Sequence, residues 1–347
     1  MQDEISSGVV EAVRARLAPG ASAIHARPQA RNLEAYRAYL KGRHLRGKEH
    51  HAGSIAAYEE ALRLDPSHAP SWTGLAECIV LSAHFNMLPA REACASARKA
   101  VATAVELEGE SANTLHVEAF VALIERRWQD MEAAWRRAID LQPTHVLALG
   151  SFGIALCMRE RFDEGFALLT RAREADPLAS FPCMLTGFGL LERGQVAEAQ
   201  RYFEDALSFE NEDVAALYLS GAALVALGQA DEGVAAIRHV ADITGRAGLF
   251  VGLLGWALAT TGRKDEARTL LDELRARPKD APTLTSEAWL LGALGETDSA
   301  FEVIARAENE NQANLYYTGF PGFDALRADP RFAAFRERLG LRPERTS

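Results

Sequence analysis

Three histidines, His44, His50 and His51, fall within the stretch HLRGKEHH, and four cysteines, Cys78, Cys94, Cys157 and Cys183, are scattered further along. Imidazole nitrogens and thiolates are the usual soft metal ligands and nucleophiles, so these residues are the first candidates for chemistry. Neither set has the required spacing. Neighbouring His50 and His51 cannot share one helix face, no carboxylate pair completes a site, and no two cysteines form a CxxC pair. The cysteines sit in apolar, helix-forming stretches, where reduced core thiols are expected, and this favours a cytoplasmic setting. His84 and His116 stand alone and are expected to pack or to hydrogen-bond. The acid pairs Asp163–Glu164, Asp231–Glu232 and Asp265–Glu266 recur near predicted helix starts, where negative charge complements the helix dipole. They read as structural rather than as acid–base catalysts. No phosphate-cradling glycine loop, Gly-x-Ser-x-Gly elbow or HExxH is present. The chain is therefore expected to be no enzyme and to need no metal or cofactor.

Composition narrows the class further. The 347 residues are 48% hydrophobic and 25% charged, the balance of a folded protein, and the net charge of −10 argues against nucleic acid as the main partner. The charge is uneven. From Arg14 to Lys48 nine basic residues are offset only by Glu34, so a basic end faces either solvent or an acidic partner. No apolar run is long enough to cross a membrane. The start, MQDEISSGVVEAVRARL, has early acids and no apolar core, so no signal peptide is expected.

The elements that must carry any site emerge from a repeat. Pro143 and Pro177 lie one 34-residue step apart, and Gly109, Asn211 and Gly245 fill equivalent places. Val101, Trp135, Leu169, Phe203, Ile237 and Leu271 form an apolar series at the same step, and Ala104, Ala138, Ala172, Ala206 and Val240 follow three residues on. Two series of small residues accompany them: Ala97, Met131, Gly165, Ala199, Gly233 and Ala267, and Ala119, Gly153, Gly187, Gly221 and Gly255. Only Met131 breaks that rule of size. Small residues mark where two helices of a unit cross closely, and the large apolar residue one turn later fills the gap to the next unit. One helix pair buries a single face, so stacked neighbours are needed to complete the core.

These positions resemble the tetratricopeptide repeat over roughly residues 35–310, most clearly in Val146–Pro177. The resemblance implies an all-α, right-handed superhelix of about eight helix pairs with a C-terminal helical cap. The expected divisions are an N-terminal helix and linker over 1–31, the array over 32–311 and a capping segment over 312–347. An insertion around His84–Pro89 is expected to lengthen the second unit. The ends resemble a narrower group. QDEISSGVVEAVRARL is similar to the close of a TolB-like domain. GFDALRADPRFAAFRERLGL is similar to the terminal motif of arrays in bacterial regulators that carry adenylate cyclase, winged-helix or kinase domains. That likeness implies a regulatory module whose effector precedes Met1, and it leaves a periplasmic location as open as a cytoplasmic one. Phe320, Phe323, Leu326, Phe332, Phe335 and Leu339 are the candidates to cover the last apolar face, with Pro330 opening a helix.

In tetratricopeptide repeats, fixed positions of each first helix line the concave groove. Carried onto this chain they give His116, Phe120, Met158, Phe181, Met184, Phe188, Tyr218 and Trp256 as the candidate partner-binding residues, with Thr73, Glu77, Cys157, Leu191 and Glu192 beside them. So apolar a groove should not stand bare in water. Three occupants are open: a partner peptide or helix, the chain's own ends, or the groove's own walls closing on each other. The leading expectation is a scaffold that binds a protein segment. The alternatives are a sensor that takes a lipid-like or aromatic small molecule in the same groove, and a self-association module that forms a homo-oligomer.

Overall fold

The computed structural model describes residues 33–47, 50–278 and 283–341, and the expected N-terminal helix over 1–31 lies outside them. Eight helix pairs follow one another: α1 (Leu33–Gly47) with α2 (His51–Leu64), α3 (Ala69–His84) with α4 (Ala90–Glu108), α5 (Ala112–Ile124) with α6 (Trp128–Leu141), α7 (Val146–Met158) with α8 (Phe162–Ala175), α9 (Ser180–Glu192) with α10 (Val196–Phe209), α11 (Val214–Ala226) with α12 (Ala230–Ile243), α13 (Gly248–Thr260) with α14 (Lys264–Arg275), and α15 (Leu284–Leu294) with α16 (Thr297–Asn309). A 3-10 turn (Pro321–Leu326) and α17 (Pro330–Arg338) complete the chain. No strand occurs among the described residues. The architecture is an α-solenoid in which each helix packs mainly on its neighbours in sequence.

The two helices of a unit differ because they face different media. α7, VLALGSFGIALCM, is buried at every residue from Ala148 to Met158. α6, WQDMEAAWRRAIDL, buries only Met131, Trp135, Ala138 and Ile139 and forms the outer layer. A helix apolar all round requires cover on all sides, whereas an outer helix needs one stripe. The insertion appears as expected: α4 runs for 19 residues, and a turn over 85–89 joins it to α3.

The glycine series lies at the helix crossings. A Cβ on Gly165 would meet the Gly153 carbonyl oxygen at 2.7 Å, and one on Gly233 would meet the Gly221 oxygen at 2.7 Å. The contact is backbone on backbone, so it cannot yield by a side-chain rotation. Gly255 departs from its series. Its nearest neighbours belong to Leu290 on α15 rather than to α14, and Gly252 likewise lies against Ser286. In the last units, then, small residues bring first helices together instead of the two helices of one pair.

The histidines of HLRGKEHH lie in different elements. His44 lies within α1, and His51 opens α2 with 5% exposure, stacked on Phe85 at 5.7 Å, so this histidine belongs to the core edge. The acid pairs do fall in first turns, with Glu164 bonded by Arg161 and Glu266 by Arg263.

Candidate binding groove

The C-terminal segment, residues 312–341, does more than cover the last pair. It runs into the concave face and touches units far from it in sequence. Its first anchor is a pair of tyrosines. His84 at the end of α3 bonds the Tyr316 hydroxyl through Nδ1 at 3.1 Å and the Tyr317 hydroxyl through Nε2 at 3.1 Å. A neutral imidazole offers one donor and one acceptor, which satisfies both phenols at once. Burial pushes the His84 imidazole down to about 4 and raises both phenols, so the cluster stays uncharged.

The second anchor is aromatic. The Tyr317 ring lies 4.6 Å from Phe188 on α9, and Phe320 sits between Trp256 on α13 at 6.2 Å and Trp289 on α15 at 4.9 Å. Beside it the Gly319 N–H donates to Glu192 Oε2 at 2.8 Å, while Oε1 of the same carboxylate is sealed from solvent. Burial raises the Glu192 carboxyl to about 7. The approach is tight: a Cβ on Gly319 would meet Glu192 Cα at 2.4 Å, and one on Gly322 would meet Trp289 Cγ at 2.7 Å.

The third anchor is polar and peripheral. Arg126 donates to the Glu308 carbonyl at 3.1 Å and to Asn311 Oδ1, Arg336 pairs with Glu160, and Trp128 Nε1 donates to the Leu339 carbonyl at 2.9 Å. Arg126 and Glu160 have φ of 57° and 62°, the left-handed region. Gly194, Gly228 and Gly262 continue that register at 34-residue steps with φ of 82°, 83° and 86°. At the two non-glycine positions of this register, Arg126 bonds the end of α16 and Glu160 pairs with Arg336 of the C-terminal segment. A non-glycine residue there carries roughly 1 kcal/mol of backbone penalty.

Against this geometry the eight candidate residues fall into three groups. Phe188 and Trp256 touch the inserted segment directly, and Phe120 reaches it through His84, with ring centroids 5.5 Å apart. His116, Met158 and Met184 are buried, and His116 Nδ1 accepts from Trp135 Nε1 at 3.2 Å. Phe181 and Tyr218 remain half-exposed, Phe181 beside Gly150 and Tyr218 5.5 Å from Phe250. Phe323, Leu326 and Phe335 are fully buried, and Leu326 packs on Gly292 of α15, as a cap would. The sequence reading did not single out Tyr316, Tyr317, Arg126, Glu160 or Trp289. A usable signal existed for Arg126 and Glu160: they interrupt a glycine series in register.

Among the described residues no cluster of histidine, cysteine and acid is arranged to hold a metal. The four cysteines are buried and unpaired, and burial pushes the Cys94 and Cys157 thiols up to about 12. No helix among the described residues is long and apolar enough to cross a membrane.

Residues 39–81 match the tetratricopeptide-repeat family. The paired helices described above make the described chain an α-solenoid. No curated protein matches the sequence. Three solved structures resemble it. YrrB, titled a tetratricopeptide-repeat protein with an unusual peptide-binding site, is 18% identical over 53% of this chain and 90% of its own, with a TM-score of 0.32. PilF of Pseudomonas aeruginosa is 19% identical over 58% of this chain and 90% of its own, at 0.42. PilW, a type IV pilus biogenesis factor, is 15% identical over 73% and 99%, at 0.41.

Proposed function

We propose that this chain is a non-enzymatic scaffold or regulatory module that holds a peptide or helical segment of a protein partner in its concave groove, around His116, Phe120, Met158, Phe181, Met184, Phe188, Tyr218 and Trp256. One observation carries the reading. The groove accommodates an uncharged aromatic segment, the chain's own residues 314–323, by side-chain insertion and by backbone donation to Glu192, the way a bound peptide is held. The resemblance of the ends to TolB-like regulators adds that the occupant passes a signal to an attached effector, on either side of a membrane. Self-association and nucleic-acid binding have no comparable support.

Small-molecule sensing has one observation in its favour. The first two units leave an open cavity of about 780 Å³ lined by Tyr36, Tyr39, Arg43, Arg46, Thr73 and Glu77. Site-specific photo-crosslinking in the host separates the readings. A benzophenone side chain at Phe181 in the groove should give discrete protein adducts, and one at Arg201 on the outer layer should give none. Equal adducts at both sites, or none at either, would count against a groove-bound partner.

A further inference from the structure

We propose that the groove between α9, α13 and α15 is a receptor for short, uncharged, aromatic and glycine-bearing peptide segments, and that residues 314–323 occupy it as a displaceable intramolecular ligand which a partner segment of the same chemistry replaces. This rests on the scaffold reading above and adds the chemistry of the occupant and the means of control.

The seated segment defines what the groove selects. Residues 314–323 read NLYYTGFPGF and carry no charge. The surface offers three rings, Phe188, Trp256 and Trp289, to two inserted rings, Tyr317 and Phe320. It offers the Glu192 carboxylate as a buried acceptor, whose Oε2 takes the Gly319 amide at 2.8 Å. The residue carrying that amide must be glycine. A Cβ at 319 would fall 2.4 Å from Glu192 Cα and 2.6 Å from its carbonyl oxygen, both backbone atoms that cannot turn away. The φ of Gly319 is not positive, so the backbone itself does not call for glycine there; the close approach does.

The seam also carries unsatisfied polar groups. Glu192 Oε1, Trp289 Nε1, Asn314 Nδ2 and Arg336 Nε are sealed from solvent without a hydrogen-bond partner. Ordinary cores leave few such atoms, and each one subtracts from the free energy of docking.

The experiment uses the full chain, the variant Gly319→Ala, and the variant Phe320→Ala, which removes the ring seated between Trp256 and Trp289. The probe is a fluorescent synthetic peptide of the sequence NLYYTGFPGF, followed by anisotropy, with hydrogen exchange of residues 314–323 measured in parallel. The wild-type chain should bind the peptide weakly, because the site is filled. Each variant should bind it at least tenfold more tightly while exchange in 314–323 rises and α9 and α13 stay protected. A peptide carrying alanine at the position of Gly319 should not bind. Two results would overturn the proposal: free exchange in 314–323 with no gain in peptide binding, or release of the segment only together with α9 and α13. A missing crosslink at Phe181 in the host would leave these outcomes unchanged, so failure of the partner reading and failure of the receptor are distinguishable.

Discussion

The first two helix pairs and the last two are built on the same unit but end in different states. α1 buries only Ala35 and Gly42 among its described side chains, and with α3 it faces a wet cavity rimmed by tyrosines, arginines and Glu77. α13 buries every residue from Leu249 to Ala259, although its sequence, GLFVGLLGWALAT, is drawn to the same helical plan. The difference is the occupant. Around α13 and α15 the concave side meets Phe320 and Phe323, while around α1 and α3 the described residues leave an open cavity. A solenoid whose groove is polar at one end and apolar at the other needs cover only at the apolar end. The segment that provides it also ties distant units together, so the array ceases to be a chain of nearest-neighbour contacts.

That contrast has consequences which can be ranked. Phe323→Ala and Tyr58→Ala each remove a ring with under 2% exposure and should each destabilise by about 3–5 kcal/mol. Their reach should differ. Loss of Tyr58, wedged between Gly42 and Gly74, should raise hydrogen exchange in α1 to α4 alone. Loss of Phe323 should raise it in α13 to α15 and also at the end of α3, where His84 holds the tyrosines. Equally local effects would break the comparison.

Next in size is a pH effect. The Glu192 carboxyl, facing Arg327 and Arg336 from the C-terminal segment, Tyr317 beside it and Cys157 on α7, is raised by burial from 4.5 to about 7. Its protonated form suits the docked state, so its stabilisation is complete below its ordinary value and is lost as the pH climbs toward 7. Glu192→Gln is neutral throughout and can still accept from Gly319. Its urea midpoint should therefore gain on wild type between pH 4.5 and 7, by up to about 3 kcal/mol, and run parallel outside that window. A constant difference across pH would sink the assignment.

Tyr317→Phe leaves His84 Nε2 without its phenol and should cost about 1–3 kcal/mol, read from the same urea curves, with the ring contact to Phe188 intact. Smallest is Arg43→Ala at the open end. This exposed side chain lies over Tyr39 and should shift stability by under about 0.5 kcal/mol. A larger loss there would mean that the open end is as tightly built as the closed one.

Much of the array was legible without coordinates because its physics is local. Gly153, Gly165, Gly221 and Gly233 had to be small wherever two helices cross, and a 34-residue period exposes such a constraint by repetition. Gly255 kept its place in the series but serves a different contact, with α15. Period alone cannot see that exchange, since both neighbours ask for the same small residue. Among the candidate groove residues, Phe188 and Trp256 lie against Tyr317 and Phe320, a contact the register could not foresee.

The residue types and their period determined the unit, its phase and the apolar character of the groove, because each depends on contacts within about one repeat. The filling of the groove was decided by tertiary structure alone. His84 and Tyr317 lie 233 residues apart in sequence, and Glu192 and Gly319 lie 127 apart. No local preference links such positions. They meet only because the stacked pairs curve far enough to bring the C-terminal segment back across the concave face, and that curvature is a sum over all the units rather than a property of any one of them.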